Sequence, residues 1–306
     1  MEKELFPRVV GSSAACLPLE RSAFRATGSD RVRFLNGMLS NDVARLAPGS
    51  AQRALLLSRK GRILAELTLV ARSEDLFLET ASAQLASVLE VLERYIIADD
   101  VRLERLGDLR ALGVEGPGAA TVLTGAGFPA PEPGSSESRG DELWLGGGAV
   151  SSAGVRVFAT PARLAEISSA LALPVLSPEH AELLRIDSFL PAYGLDMSDD
   201  HFPQEARLET AAVSFKKGCY IGQEIVARIA SRGGVNKLLV QLRTAASVAS
   251  GDEIRAEGRA TGQVTSAARS PDGAGLALGY VKLPHAQPGT AVEVGATTAV
   301  VLGPPL

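Results

Sequence analysis

From Lys237 to the C-terminus the chain is a succession of short apolar runs, LLVQL, GRATGQVTSA, GLALGYV, TAVEV and TAVVL, punctuated by Gly, Pro and Asp. Runs of this length between turn residues are strands, and they recur too closely for helical crossovers, so neighbours must pair antiparallel. Such a set of strands avoids exposed edges by closing on itself or doubling over. The pattern therefore predicts a small antiparallel barrel or sandwich over residues 235–306. Ser231-Arg232-Gly233-Gly234 marks its boundary with the rest of the chain.

Upstream the pattern is mixed. Ser29-Asp30 stands before RVRFLNGMLSNDV, where Val32, Leu35 and Leu39 recur at helical spacing up to a stop near Asn41. RALLLS, GRILAELTLVAR and DLFLET alternate or run apolar between turn residues and predict a meander of strands over 53–80. SAQLASVLEVLERYI follows with Leu85, Leu89, Leu92 and Ile96 on one stripe, an amphipathic helix to cover that sheet. Thr160-Pro161 and Ser177-Pro178 each combine a capping side chain with proline at the first helical position, predicting helices to about Leu171 and Phe189. The segment from Phe128 to Gly148 reads as a surface connection, and its Gly146-Gly147-Gly148 as a turn, because no helix start follows to make a phosphate cradle. The fold class is α+β.

A chain of 306 residues holds two or three folding units, and 46% hydrophobic with 22% charged residues excludes a disordered or collagen-like chain. The net charge of −4 gives no general attraction to nucleic acid or anionic lipid, so neither is expected as a direct partner. Cys16 and Cys219 are the only cysteines, and His180, His201 and His285 are scattered singly. That set makes neither a disulfide framework nor a four-ligand metal centre, and no metal site is expected. MEKELFPRVV lacks a basic-then-apolar leader pattern, and no apolar run is long enough to span a bilayer, which leads to the expectation of a cytoplasmic protein.

Within this background FKKGCYIGQE stands out: Lys is rare, yet Lys216 and Lys217 adjoin Cys219, which lies between Gly218 and Gly222. Ammonium groups stabilise a thiolate and glycines permit a backbone that presents sulfur, so Cys219 is a candidate functional thiol. A small buried residue in a tight turn is the structural alternative. Asp187, on a helix beside Arg185, has the chemistry to accept two parallel hydrogen bonds from the amide-and-amine edge of a pterin or guanine, or to pair with that arginine. HFPQEARLE offers Gln204 and Glu205 after a proline turn, or simply a polar helix start.

Taken in order, these blocks resemble one family. SFKKGCYIGQEIVAR (214–228) is similar to the signature of the YgfZ-type folate-binding proteins, relatives of the glycine-cleavage T-protein (aminomethyltransferase). RVRFLNGMLSNDV, SRKGRILAELTL, YIIADDVRL, LLRIDSFLPAYG and FPQEARLE extend the resemblance over most of the chain. It implies an aminomethyltransferase-like clover of three domains around a central folate site, with the antiparallel β-barrel last. Residues 1–230 are then the folate-binding region of two intertwined subdomains, the second over roughly 50–110, and 235–306 the barrel. It further implies tetrahydrofolate as cofactor and a role in assembly or repair of iron–sulfur enzymes. Iron–sulfur client proteins or cluster carriers are then the partners, and effects on tRNA thiomodification are indirect.

In the T-protein the catalytic carboxylate lies in a Gly-x-x-x-Asp-Asp block. Here that block reads Gly61-Arg62-Ile63-Leu64-Ala65-Glu66, so the first acid position is Ala65, which cannot hold a proton. Glu66, its neighbour on an extended strand, faces the other way. Aminomethyl transfer is thereby disfavoured, and a tetrahydrofolate-dependent aminomethyl- or methyltransferase using Glu66 as a displaced acid is the alternative. The pterin-holding acid aligns with Asp187, one methylene shorter than the usual Glu. The resemblance groups Glu66, Asp187, Gln204, Glu205, Lys217, Gln223 and Arg228 around the folate, with Lys216, Lys217 and Arg228 as cations for its glutamate tail or for the Cys219 thiolate. A third reading keeps the pocket as a scaffold and Cys219 as structural.

Overall fold

The computed structural model describes residues 2–303. After helix α1 (Glu2–Val10), strand β1 (Ala15–Leu19) leads directly into β2 (Arg21–Thr27), α2 (Arg31–Met38), β3 (Ala51–Leu57), β4 (Ile63–Ala71), β5 (Leu76–Ala81), α3 (Leu85–Glu93) and β6 (Arg102–Arg105). Next come β7 (Arg110–Glu115), α4 (Ala119–Gly125), β8 (Ser136–Arg139), β9 (Glu142–Gly146), β10 (Gly154–Ala159), α5 (Pro161–Leu171) and α6 (Pro178–Asp187). The short α7 (Glu209–Ala212) and α8 (Gln223–Arg232) precede β11 (Lys237–Thr244), β12 (Glu253–Ala256), β13 (Arg259–Arg269), β14 (Gly275–Lys282), β15 (Ala291–Val294) and β16 (Thr297–Leu302). Among the described residues no helix is long and apolar enough to cross a membrane.

Three β layers result. The last six strands form a closed antiparallel barrel in the order β11-β14-β13-β12-β15-β16. Five runs were legible there in the sequence; β12 was not, because both its outward positions, Glu253 and Arg255, are charged and leave only Ile254 and Ala256 apolar. Of the two open sheets, one has the order β1-β7-β10-β9-β8 and the other β3-β4-β5-β2-β6. The chain thus leaves the first sheet after β1, builds the whole second sheet, and returns to lay β7 antiparallel against β1, with Leu19 opposite Ala111.

Burial explains how these layers stack. One face of the second sheet presents Phe24, Leu56, Ala65, Leu67, Leu69 and Leu78 to α2 and α3, which contribute Leu35, Met38, Leu89 and Leu92. Its other face packs Val70 and Phe77 on Leu143, Leu145 and Phe158 of the first sheet, with the Phe77 and Phe158 rings edge to face at 5.2 Å. The predicted caps of α5 and α6 are in place: Thr160 accepts from the Arg163 amide and Ser177 from the His180 amide. From α6, Leu183 and Ile186 lie on the outer face of the barrel against Leu239, Leu276, Leu278 and Tyr280.

At that junction sits Arg185, only 9% exposed at its side chain. Its guanidinium donates to Glu182 Oε2 at 2.8 Å and Oε1 at 2.7 Å, Leu190 O at 2.6 Å, Asp196 Oδ2 at 2.6 Å and Ser266 Oγ at 2.7 Å. All five N–H donors of an arginine are thereby used, joining α6, the loop after it and β13. Removing the cation leaves Asp196, which is 1% exposed, as a buried charge without its partner. Arg185→Leu should lower the urea-derived unfolding free energy by about 3–5 kcal/mol. A loss below about 1 kcal/mol would show that the junction does not depend on this pair.

Candidate functional site

Strand alternation builds the site. On the second sheet, the face turned away from α2 and α3 carries charged or polar side chains at successive rows. Thr68 lies opposite both Arg53 and Glu79, and Glu66 is opposite Leu55. Ala23 pairs with Glu79 and Arg21 with Ala81, so Arg21 falls on the same face. Where that face meets the first sheet there is a cavity of about 230 Å³. The second sheet gives it Arg21, Arg53, Glu66, Thr68 and, from the start of the helical segment, Gln84. The first sheet gives Arg156 and the turn residues Gly148 and Ala149, and the segment from α6 closes it with Arg185, Leu190, Pro191, Ala192 and Tyr193.

The charges are tightly arranged. Glu79 is fully buried and accepts hydrogen bonds from both Arg21 and Arg156. Burial opposes its charge, but the two guanidiniums and Thr68 more than offset this and hold the carboxyl down to about 2. Two arginines therefore share one carboxylate, leaving a surplus of positive charge on that wall. Arg53 Nε donates to Glu66 Oε1 at 2.6 Å. Glu115, also fully buried, accepts from the amides of Ala149 at 2.8 Å and Val150 at 3.3 Å and from Ser151 Oγ at 2.8 Å. Those bonds fix the turn that brings Gly148 to the cavity, and a Cβ at Gly148 would collide with that carboxylate and with Ser151.

Of the residues the sequence singled out for the cofactor, Glu66 alone lines this cavity. Ala65 is 1% exposed and packs with Leu67 and Leu69 in the core. The cavity-facing position of this block is thus 66, not 65, and it carries an acid. Asp187 ends α6 on the barrel side, in a small cleft of about 60 Å³ with Leu5, Arg8, Arg243 and Asp272, and does not reach the central cavity. Gln204 Nε2 donates to Val226 O at 2.8 Å, and Glu205 Oε2 accepts from the Phe202 amide at 2.9 Å and Arg62 Nη1 at 3.4 Å. Both fasten the 202–208 turn to its neighbours. Arg228 pairs with Glu224 at 2.6 Å on the exposed side of α8, and Gln223 Nε2 reaches back to Gly218 O at 3.5 Å.

The Cys219 segment divides into anchors and one displayed group. Lys217 Nζ donates to the carbonyls of Asn36, Leu39 and Asn41 at 2.5, 2.7 and 2.8 Å, tying the end of α2 to the loop that follows it. Burial pushes this ammonium down to about 8. Tyr220 packs among Leu55, Leu57, Ile63 and Val226. Gly222 has φ +86° and rests against the β3–β4 turn, where a Cβ would stand 2.6 Å from Ser58 O and 3.1 Å from Gly61 Cα, so only glycine fits. Between these anchors Cys219 is exposed, whereas Cys16 is buried in the first sheet. Cys219 is not part of the cavity wall.

Sequence reading missed Arg21, Arg53, Thr68, Gln84, Arg156 and Tyr193. The available signal was charge at alternate positions of otherwise apolar strands, as in RALLL and ILAELTLVA, which is costly unless those positions face a polar space.

Two family models match the chain, the GCVT N-terminal domain over residues 20–127 and the glycine cleavage T-protein C-terminal barrel domain over 237–305. The mitochondrial aminomethyltransferase of Gallus gallus is 29% identical over 298 residues, covering 88% of this chain and 74% of its own. A tRNA-modifying protein YgfZ of Serratia proteamaculans is 29% identical over 294 residues, covering 88% and 86%. The crystal structure of glycine cleavage system aminomethyltransferase T from Bartonella henselae shares the fold, with a TM-score of 0.90 at 21% identity over 99% of this chain and 88% of that one.

The charge arrangement is testable through pH. Unfolded Glu79 takes up its proton near 4.5 and the folded group only near 2, so within that window the unfolded state binds more protons and stability falls as pH drops. Between those limits the wild type should lose about 3 kcal/mol more than Glu79→Gln in acid titrations of the unfolding free energy. Parallel pH profiles for the two proteins would contradict this.

Proposed function

This chain is a YgfZ-type relative of the glycine-cleavage T-protein family, and on that basis we propose that it is a folate-binding accessory factor for the assembly or repair of iron–sulfur enzymes. The observation that carries the reading is Cys219: an exposed thiol on a segment whose neighbours Lys217, Tyr220 and Gly222 are committed to holding it in place. A merely structural cysteine has no need of display. Its acceptors or donors are iron–sulfur client proteins or cluster carriers in the cytoplasm. Effects on tRNA thiomodification follow through those enzymes, and neither nucleic acid nor membrane is engaged directly.

The central cavity supports tetrahydrofolate as the bound cofactor. A pterin presents N–H donors on one edge and a carbonyl on another. Glu66 offers an acceptor, the shared Arg21 and Arg156 offer donors, and Tyr193 with Leu190 and Pro191 supplies the apolar side. At about 230 Å³ the space is smaller than the roughly 300–1,000 Å³ of sites that enclose a drug-sized ligand, so it suits the ring and leaves the remainder outside. When bound, the reduced pterin supplies a carrier for one-carbon units; this chain's residues bind and orient it.

The second reading is a tetrahydrofolate-dependent aminomethyl- or methyltransferase. It is favoured by the placement of Glu66 inside the cavity, although Arg53 already engages one of its oxygens. Calorimetry and genetic rescue separate the two. Tetrahydrofolate should bind the wild type and Cys219→Ala alike and bind Glu66→Gln about tenfold or more weakly, the worth of one charge-assisted hydrogen bond. Cys219→Ala should fail to restore iron–sulfur enzyme activity in cells lacking the protein. Full rescue by Cys219→Ala would overturn the thiol role. Turnover of an aminomethyl donor by the wild type, abolished in Glu66→Gln, would replace this reading with the second.

A further inference from the structure

A second cavity, of about 430 Å³, opens on the outer face of the barrel between His201 and strands β11, β13 and β14. It shares no lining residue with the central cavity. Asp196 separates the two: Oδ2 accepts from the Ala192 amide on one side, and Oδ1 accepts from Thr265 Oγ1 and Ser266 Oγ on the other.

Lys237 and Lys282 lie directly opposite each other in the β11–β14 register, and both line this cavity. Like charges at directly opposed strand positions are destabilising, and nature avoids them without a compensating partner. No carboxylate within 4.0 Å supplies one among the described residues. Lys282 Nζ reaches Ala260 O at 3.2 Å, and Lys237 Nζ sits 4.6 Å from the Tyr280 ring centroid. The nearest acids are otherwise occupied or off the wall. Asp196 is held by Arg185, Thr265 and Ser266, Glu205 by Arg62 and the Phe202 amide, and Asp199 and Asp200 do not line the cavity.

The remaining surface suits a flat body. His201 stacks on Tyr280 with ring centroids 4.4 Å apart. Its Nδ1 accepts from the Ser198 amide at 3.1 Å, placing the proton on Nε2, and burial followed by Lys237 holds the ring down to about 4, so it is neutral at pH 7. Tyr280 and Thr261 are 6% and 4% exposed, and their buried hydroxyls have no hydrogen-bond partner among the described residues. Those hydroxyl oxygens are sealed from solvent, so they are a cost borne by the fold, and the cavity itself is walled by the ring of Tyr280 and the two lysine side chains. The volume is that of a small-molecule site.

We propose that this cavity binds a small organic anion, an aromatic carboxylate or phosphate ester, with its charged group between Lys237 and Lys282 and its ring along the Tyr280–His201 wall. This site is independent of tetrahydrofolate binding in the central cavity.

Benzoate and phenyl phosphate are the probes, with uncharged benzamide as control, titrated calorimetrically into the full chain. Saturable binding of at least one anion is expected, with benzamide about tenfold or more weaker. Benzoate alone binding identifies a carboxylate ligand, and phenyl phosphate alone a phosphate ester. Lys282→Gln changes an exposed side chain that the fold does not need, and should weaken the bound anion about tenfold. Lys237→Gln should weaken it to a similar degree. No saturable binding of either anion overturns the proposal. So does binding that is unchanged in both Lys282→Gln and Lys237→Gln, since the ligand then sits elsewhere.

Discussion

The guanidinium of Arg185 is the point on which the architecture turns. An arginine buried with all five donors used fixes direction as well as charge, so it orients whatever it binds. Here it binds its own helix through Glu182, the following loop through Leu190 and Asp196, and the barrel through Ser266. Because Leu190 to Tyr193 then form one wall of the central cavity, the shape of that cavity follows from the same five bonds. Asp196 carries the constraint onward to Thr265 and so to the edge of the barrel cavity.

A second constraint is the division of one sheet into two kinds of face. Ala65, Leu67 and Leu69 give the second sheet an apolar face that α2 and α3 cover completely. The opposite face is apolar where Val70 and Phe77 meet the first sheet and where Leu55 and Leu57 pack with Met197, Ala206 and Tyr220. The charged rows between cannot be buried in contact with apolar atoms, so they pair with each other and leave a polar space. Glu79 lies between Arg21 and Arg156 and lets the two cations approach each other. Cys219 stands apart from this space, on a loop whose anchoring contacts are with the end of α2 and the β3–β4 turn. Cavity and thiol are two stations on one rigid frame.

Much of the frame was legible in the sequence. A small antiparallel barrel or sandwich followed from strand spacing, α5 and α6 from Thr160-Pro161 and Ser177-Pro178, and the cover of the second sheet from the Leu85, Leu89, Leu92 stripe. Each of these is a local pattern with a local cause. The family resemblance added the order of the blocks, and the matching family models and the fold shared at TM-score 0.90 agree with it. Facing was much less legible. Whether 65 or 66 enters a cavity depends on strand pairing over the whole sheet, and Asp187 turns toward the barrel because Leu183 and Ile186 of the same helix are claimed by Leu239 and Leu278. Lys217 reads as a ligand-binding cation until the end of α2 is placed beneath it. The cavity arginines come from β2, β3, β10 and α6, and nothing in the linear sequence brings these together.

The cavity proposed for the pterin and the exposed thiol of Cys219 are separate parts of one protein. A crystal structure of the protein with tetrahydrofolate tests this most directly. The account predicts the pterin ring in the central cavity, with Glu66 on its donor edge, Tyr193 beside it, and Cys219 outside the contact shell. A ring held against Asp187 on the barrel side, or in contact with Cys219, would contradict it.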